Sequence, residues 1–166
     1  MTVPATVYLT HADSSHEADV AAAVKHQWPD LDLLPTPKFF PFDFHVLRRY
    51  GRGSSDYLGG LEVKWFNHDS SRPGVFNYNK LLQLLAMTVH RDDPLCYHRI
   101  AFRFTDGILI TAARNVATQK PELFTRKDTG ETDLVVRIER EALPGPWLAA
   151  PANTSIEGNR DVVQSR

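Results

Sequence analysis

The sequence predicts an α/β domain in which a mixed central sheet is flanked by helices, and three observations point there. Helical and extended patterns alternate: one helix, several strands, a second helix, then strands again. A length of 166 residues supports one domain with a full hydrophobic core rather than two. From Pro144 the composition turns to Pro, Ala, Asn, Ser and Gly, so the domain is expected over residues 1–143 and an extended or mobile tail over 144–166.

"SSHEADVAAAVKHQW" reads as the first helix. Ser14 and Glu17 have capping-box spacing, Val20, Ala21, Val24 and Trp28 repeat at helical intervals, and Pro29 closes it. The following stretch is extended, with Pro35, Pro37 and Pro41 interrupting its first half. "FDFHVLRRY" and "YLGGLEVKWF" flank the turn "GRGSSD", which predicts an antiparallel hairpin, and "HDSSRPG" is a loop. "VFNYNKLLQLLAMTVHR" is read as the second helix, with Tyr78, Leu81, Leu82, Leu85 and Val89 as its apolar stripe. "RIAFRFTD" and "ILITAARN" are strands joined at Asp106-Gly107, and "DLVVRIERE" adds a further C-terminal strand.

Composition narrows the function classes. A net charge of −1 gives no global nucleic-acid signature, yet residues 38–80 hold seven bases against four acids while residues 1–37 hold one base against five. There is no apolar run of membrane-spanning length, and the start lacks the basic-then-apolar order of a secretory signal. Cys96 is the single cysteine, which excludes an internal disulfide and a cysteine zinc cluster; a soluble cytoplasmic protein is the expectation. The chain carries no Walker loop, GxGxxG, GxSxG or HExxH.

Chemistry concentrates in "DYLGGLEVKWFN". Glu62 and Lys64 fall on one face of a strand, opposite Leu61, Val63 and Trp65. Burying either charge is costly unless it is paired or binds a metal, so the stretch is an ion pair or a site. Across the expected hairpin Asp43 can approach Glu62 within a few ångströms, although the register is not fixed by the sequence. Two adjacent carboxylates repel unless a cation joins them, and Mg²⁺ or Mn²⁺ accepts two carboxylates and a backbone carbonyl. With a lysine beside the ion, the set suits phosphodiester hydrolysis; a structural ion-pair network is the competing reading. Asp56 is a rival acid whose place at the "GSSD" turn suits a turn cap, and His45 shares a strand face with Asp43.

The order helix, strands, Asp43, "GGLEVKW", helix, strand over residues 14–105 resembles the αβββαβ core of the PD-(D/E)xK nuclease superfamily, the restriction-endonuclease-like fold. The resemblance implies that Asp43 and Glu62 hold Mg²⁺ or Mn²⁺ with the Val63 carbonyl, and that Lys64 assists the attacking water. It adds Glu17 on the first helix and Lys80 or Gln83 on the second as further site residues. Phe42 stands where the pattern has proline, with Pro41 one place earlier. The implied activity is a metal-dependent endo- or exonuclease acting on DNA ahead of RNA, with a homodimer or a larger complex as the assembly it allows. Arg48, Arg49, Arg52, Arg72 and Lys80 are the nearby bases for phosphate contacts. The alternative is a catalytically inactive nuclease-like fold serving as a binding or assembly module in a viral or defence complex.

Overall fold

Two apolar runs separated by a glycine-bounded turn fold back on each other and start the main sheet. The computed structural model describes residues 11–37, 39–87 and 97–149. Strands β1 (Leu31–Pro35), β2 (Phe44–Arg49) and β3 (Ser55–Trp65) form an antiparallel meander, with a 3₁₀ turn at Gly51–Gly53 between the last two. The chain then leaves this sheet through β4 (Gly74–Asn77) and helix α2 (Tyr78–Ala86) and returns as β5 (Arg99–Phe104), parallel to β3. A parallel neighbour requires such a crossover, and α2 supplies it. β6 (Gly107–Ala112) pairs antiparallel with β5, and β9 (Trp147–Ala149) closes the far edge, giving the order β1-β2-β3-β5-β6-β9. β7 (Pro121–Thr125) and β8 (Thr132–Ile138) join β4 in a second sheet ordered β4-β8-β7.

The six-stranded sheet is apolar on both faces, so both are covered. On one, helix α1 (His11–Gln27) lays Val20 and Val24 on Phe44, Val46, Leu61 and Ile108. On the other, Ile100, Phe102 and Phe104 pack with Leu81 and Leu84 of α2, the short helix α3 (Ala113–Val116), and Val136 and Ile138 of the small sheet. Alternation within β5 sends Ile100, Phe102 and Phe104 one way and Ala101 the other, which is why one strand serves two cores.

The α/β class and the β2–β3 hairpin are as expected, while several local expectations change. Ser14 lies inside α1 rather than at its start, so no capping box with Glu17 begins the helix. Gly74–Asn77 is strand, not helix: its burial alternates with period two as it pairs with β8, and α2 begins where the Asn77 side chain accepts the Lys80 N–H. The end of that expected helix, residues 88–91, lies outside the described residues, as does Cys96. The β5–β6 turn is Thr105-Asp106, one place early, because Gly107 already pairs with Phe104 and lies against the Trp147 ring. β6 stops at Ala112, where Ala113–Val116 turns helical and the Ala113 N–H reaches the His98 carbonyl. β7 is an addition.

The expected tail also starts too early. Thr111 Oγ1 donates to the Pro144 carbonyl, Ile110 N–H donates to the Pro146 carbonyl, and Leu148 is buried in β9. The first six residues of that segment therefore belong to the domain; residues 150–166 lie outside the described residues.

One packing detail sets the position of the residues discussed next. Phe42 is fully buried with its ring flat against the Gly60 backbone, so that a Cβ built on Gly60 would lie 2.4 Å from the ring. Phe40 and His98 flank the same ring. Gly60→Ala should consequently cost about 1–3 kcal/mol in urea unfolding, the usual range for overpacking. Gly51→Ala, with nothing within 4 Å of the added methyl, should stay within about 0.5 kcal/mol of the parent.

Candidate functional site

Phe42 on Gly60 delivers the next residue, Asp43, to the mouth of β2. The Asp43 N–H donates to the Leu61 carbonyl although Leu61 is already the register partner of Phe44, so two residues oppose one in the manner of a β-bulge. Its carboxylate Oδ2 then accepts the Val63 N–H at 2.7 Å. In an extended strand a residue's N–H and C=O point to the same flank, which turns the Val63 carbonyl to the Asp43 side as well.

Glu62 projects from β3 on the α2 face, level with Ile100 of β5, and is only 9% exposed. Its Oε1 lies 3.2 Å from Lys80 Nζ, while its Oε2 is buried without a hydrogen-bond partner. Asp43 is within hydrogen-bonding and Coulombic reach of the same carboxyl. Burial first, and the Asp43 charge second, push the Glu62 pKa up to about 8 against the opposing pull of Lys80.

Lys80 is placed by the Asn77 cap that starts α2, which puts its ammonium one turn into the helix and over Glu62. The other end of α2 is tied down by His98. Its Nδ1 accepts the Gly60 N–H at 2.9 Å, which leaves the proton on Nε2 to donate to the Met87 carbonyl at 3.0 Å. Burial lowers the His98 pKa and keeps this neutral tautomer. His98 thus links the strand bearing Glu62 to the helix bearing Lys80. The reading from sequence overlooked it, and the Gly59-Gly60 pair inside a strand was the available signal that something approaches the backbone closely.

The fold brings Asp43, Glu62, the Val63 backbone and Lys80 together. Lys64 is exposed and makes no ion pair among the described residues, so the cation on Glu62 comes from α2 and not from two places along the strand. Glu17 is half-buried on α1, a helix packed on the opposite face of the sheet from the one Glu62 occupies. Gln83 is exposed on α2. Asp56 lies six residues from Glu62 along β3, about 20 Å at strand rise, and engages Tyr50 instead. His45 joins Tyr57 and the Phe40–Phe42 rings.

The basic residues divide. Arg48 and Arg49 sit at the far end of β2, about 17 Å from Asp43 at strand rise, and pair with Asp30 at 3.1 Å and Asp32 at 2.8 Å, so neither belongs to this centre. Arg52 is in the Gly51–Gly53 turn at that same end. Arg72 is exposed in the loop after β3.

No group of three or more His, Cys, Asp or Glu that could hold a metal occurs among the described residues. Two carboxylates and a carbonyl nevertheless meet the requirement of Mg²⁺, which takes one or two protein carboxylates and keeps several waters. The unpartnered Glu62 Oε2 beside a second carboxylate fits a cation.

Comparison with family models, curated proteins and solved structures finds no match to this chain. No helix among the described residues is long and apolar enough to cross a membrane.

The raised Glu62 pKa has a definite effect on stability. Above pH about 4.3 the unfolded chain has lost this proton while the folded chain keeps it, so the contribution is full below that pH and is lost as pH rises through about 8. Without divalent metal, the stability of the parent relative to Glu62→Gln should fall steadily over that window, by up to roughly 1.4 kcal/mol per pH unit. Parallel pH profiles for the two proteins in urea unfolding would show that Glu62 titrates normally.

Proposed function

We propose that the chain is a metal-dependent nuclease that hydrolyses phosphodiester bonds, in DNA ahead of RNA, at a centre made of Asp43, Glu62, the Val63 carbonyl and Lys80. The observation that carries this reading is the buried Glu62 carboxyl held against Asp43 with Oε2 unpartnered. A structural role alone would favour a carboxylate with both oxygens satisfied. The chain order gives further support: an antiparallel meander bearing the two acids, a crossover helix, and a strand parallel to the one bearing Glu62 follow the order of the PD-(D/E)xK core that the sequence resembles.

Asp43, Glu62 and the Val63 carbonyl would hold Mg²⁺ or Mn²⁺, which when bound polarises a phosphoryl oxygen and lowers the pKa of a coordinated water. Asp43 Oδ2 is tied to the Val63 N–H, which sets the direction of its carboxylate before any ligand arrives. Lys80 balances the charge of the Asp43–Glu62 pair in the resting protein and is close enough to orient the attacking water or to neutralise charge building on the phosphate. Lys64, on the same strand face and exposed, offers a second ammonium to the substrate, and Arg72 a phosphate contact from the loop beyond. The second reading, an inactive nuclease-like module in a larger complex, is favoured by the Lys80–Glu62 contact, since one ammonium already balances the single charge that Asp43 and a protonated Glu62 carry between them.

Incubation with plasmid, linear and single-stranded DNA and with RNA, in Mg²⁺, Mn²⁺ or chelator, separates the two. The nuclease reading expects metal-dependent cleavage that falls at least about 100-fold in Asp43→Asn and Glu62→Gln. It also expects metal to raise the melting temperature of the parent and not of these two variants. Absence of cleavage and of any metal-induced shift in the parent would leave the module reading standing.

The two lysines are told apart by the same assays. Lys80→Ala should lose cleavage by roughly 100-fold or more and, by leaving the charge of the Asp43–Glu62 pair unbalanced, destabilise the metal-free protein. Lys64→Ala should keep the parent's metal-free stability, because Lys64 makes no ion pair among the described residues. A Lys80→Ala protein with full activity would return the catalytic lysine to position 64.

A further inference from the structure

We propose that β7 is a self-pairing edge on which a second copy of this chain docks, the two strands running antiparallel about a two-fold axis at Phe124. No residue of the proposed nuclease centre takes part, so the proposal stands independently of that reading.

Among the described residues β8 is the only neighbour of β7 in its sheet, which leaves the other flank of Pro121–Thr125 as an edge. Two contacts at the hairpin end fix which backbone groups face that edge. The Arg126 N–H donates to the Glu131 carbonyl at 2.8 Å, and the Thr125 and Thr132 hydroxyls meet at 2.8 Å, as close side chains do at a pair that exchanges no backbone bonds. The register with β8 continues from there without a shift, so Thr125, Leu123 and Pro121 turn their backbone groups outward while Phe124 and Glu122 turn theirs to β8. The proline thus falls at a position whose N–H the β7–β8 ladder does not need. Both faces of the edge carry uncovered apolar groups. Leu123, 76% exposed, lies opposite the exposed Leu134, and Phe124 is exposed on the other face. An edge of this kind is a template for another strand.

Charge selects a copy of the same strand and sets its register. With the axis at Phe124, Leu123 opposes Thr125 of the second copy and each such pair exchanges both backbone bonds, so the outward N–H groups of both residues find carbonyls. Phe124 meets its own counterpart, and the two Leu123 side chains become diagonal neighbours on the other face. Glu122 then opposes Arg126 on both sides of the axis. Within each chain Glu122 already holds Arg137 at 2.7 Å and Arg126 holds Asp133 at 3.0 Å, so pairing joins them into a row of alternating sign across the interface. Moving the axis to Leu123 would instead set Lys120 against Arg126 and leave the Thr125 carbonyl facing a proline. So short a ladder buries little surface, which places the Kd at about 1–100 µM.

Sedimentation equilibrium of the intact protein from about 1 to 200 µM should show a concentration-dependent passage from monomer to dimer. Leu123→Pro removes an outward N–H and no bond to β8, and should weaken association at least about tenfold in a protein that stays folded by circular dichroism. Glu122→Arg and Arg126→Glu each set like charges across the axis twice, so each alone should remain monomeric over this range. An equimolar mixture of the two should regain the dimer, because each supplies the charge the other lacks. A parent that stays monomeric throughout, a folded Leu123→Pro protein that associates like the parent, or a mixture no more associated than its components would each overturn the proposal. Should Leu123→Pro fail to fold, the mixture decides alone.

Discussion

A carboxyl with too few partners governs the arrangement on the α2 face of the sheet. Glu62 is buried beside Asp43, and each neighbouring element answers part of the resulting cost. Lys80 brings a compensating charge from α2, the Val63 N–H engages Asp43, and His98 braces helix against strand so that Lys80 stays in reach. None of these contacts satisfies Glu62 Oε2. The protein holds a local electrostatic imbalance inside an otherwise well-packed layer of Ile100, Phe102, Leu81 and Leu84.

Much of this was legible in the sequence because it rests on short-range patterns. The hairpin followed from alternating residues on either side of a glycine-bounded turn, while the register that brings Asp43 to Glu62, Phe44 opposite Leu61, is seen only in the structure. Capping and helix length were less legible: the apolar content of "VFN" fits a helix as well as a strand, and only pairing with β8, some sixty residues on, decides for strand. Residues 144–149 looked like tail because proline and glycine dominate there. Gly145, at φ +153° with the Ile110 carbonyl where a side chain would stand, and Leu148 instead fit them to the edge of β6.

The identity of the lysine on Glu62 was the least legible feature of the site. Spacing along the strand put Lys64 on the correct face, and the structure agrees; what spacing does not reveal is that the face is open at position 64 and closed at position 62 by a helix arriving from elsewhere. Burial, rather than alternation, chose the partner. The same principle accounts for Arg48 and Arg49, which belong by sequence to the strand that begins beside Asp43 but by distance to the acidic edge at Asp30 and Asp32.

That Lys80 reaches Glu62 from the crossover helix bears on how related chains would be recognised. A linear pattern written on the strand alone, acid-any-lysine, describes two residues of which only the first is in the centre. The arrangement seen in three dimensions reads instead as an aspartate, a glutamate nineteen positions later and a lysine eighteen positions after that, with a Gly-Gly pair just ahead of the glutamate. A descendant that lost the charge at position 64 would keep the whole centre while ceasing to match the strand pattern, and one that lost position 80 would keep the pattern with the Glu62 carboxyl deprived of its ammonium.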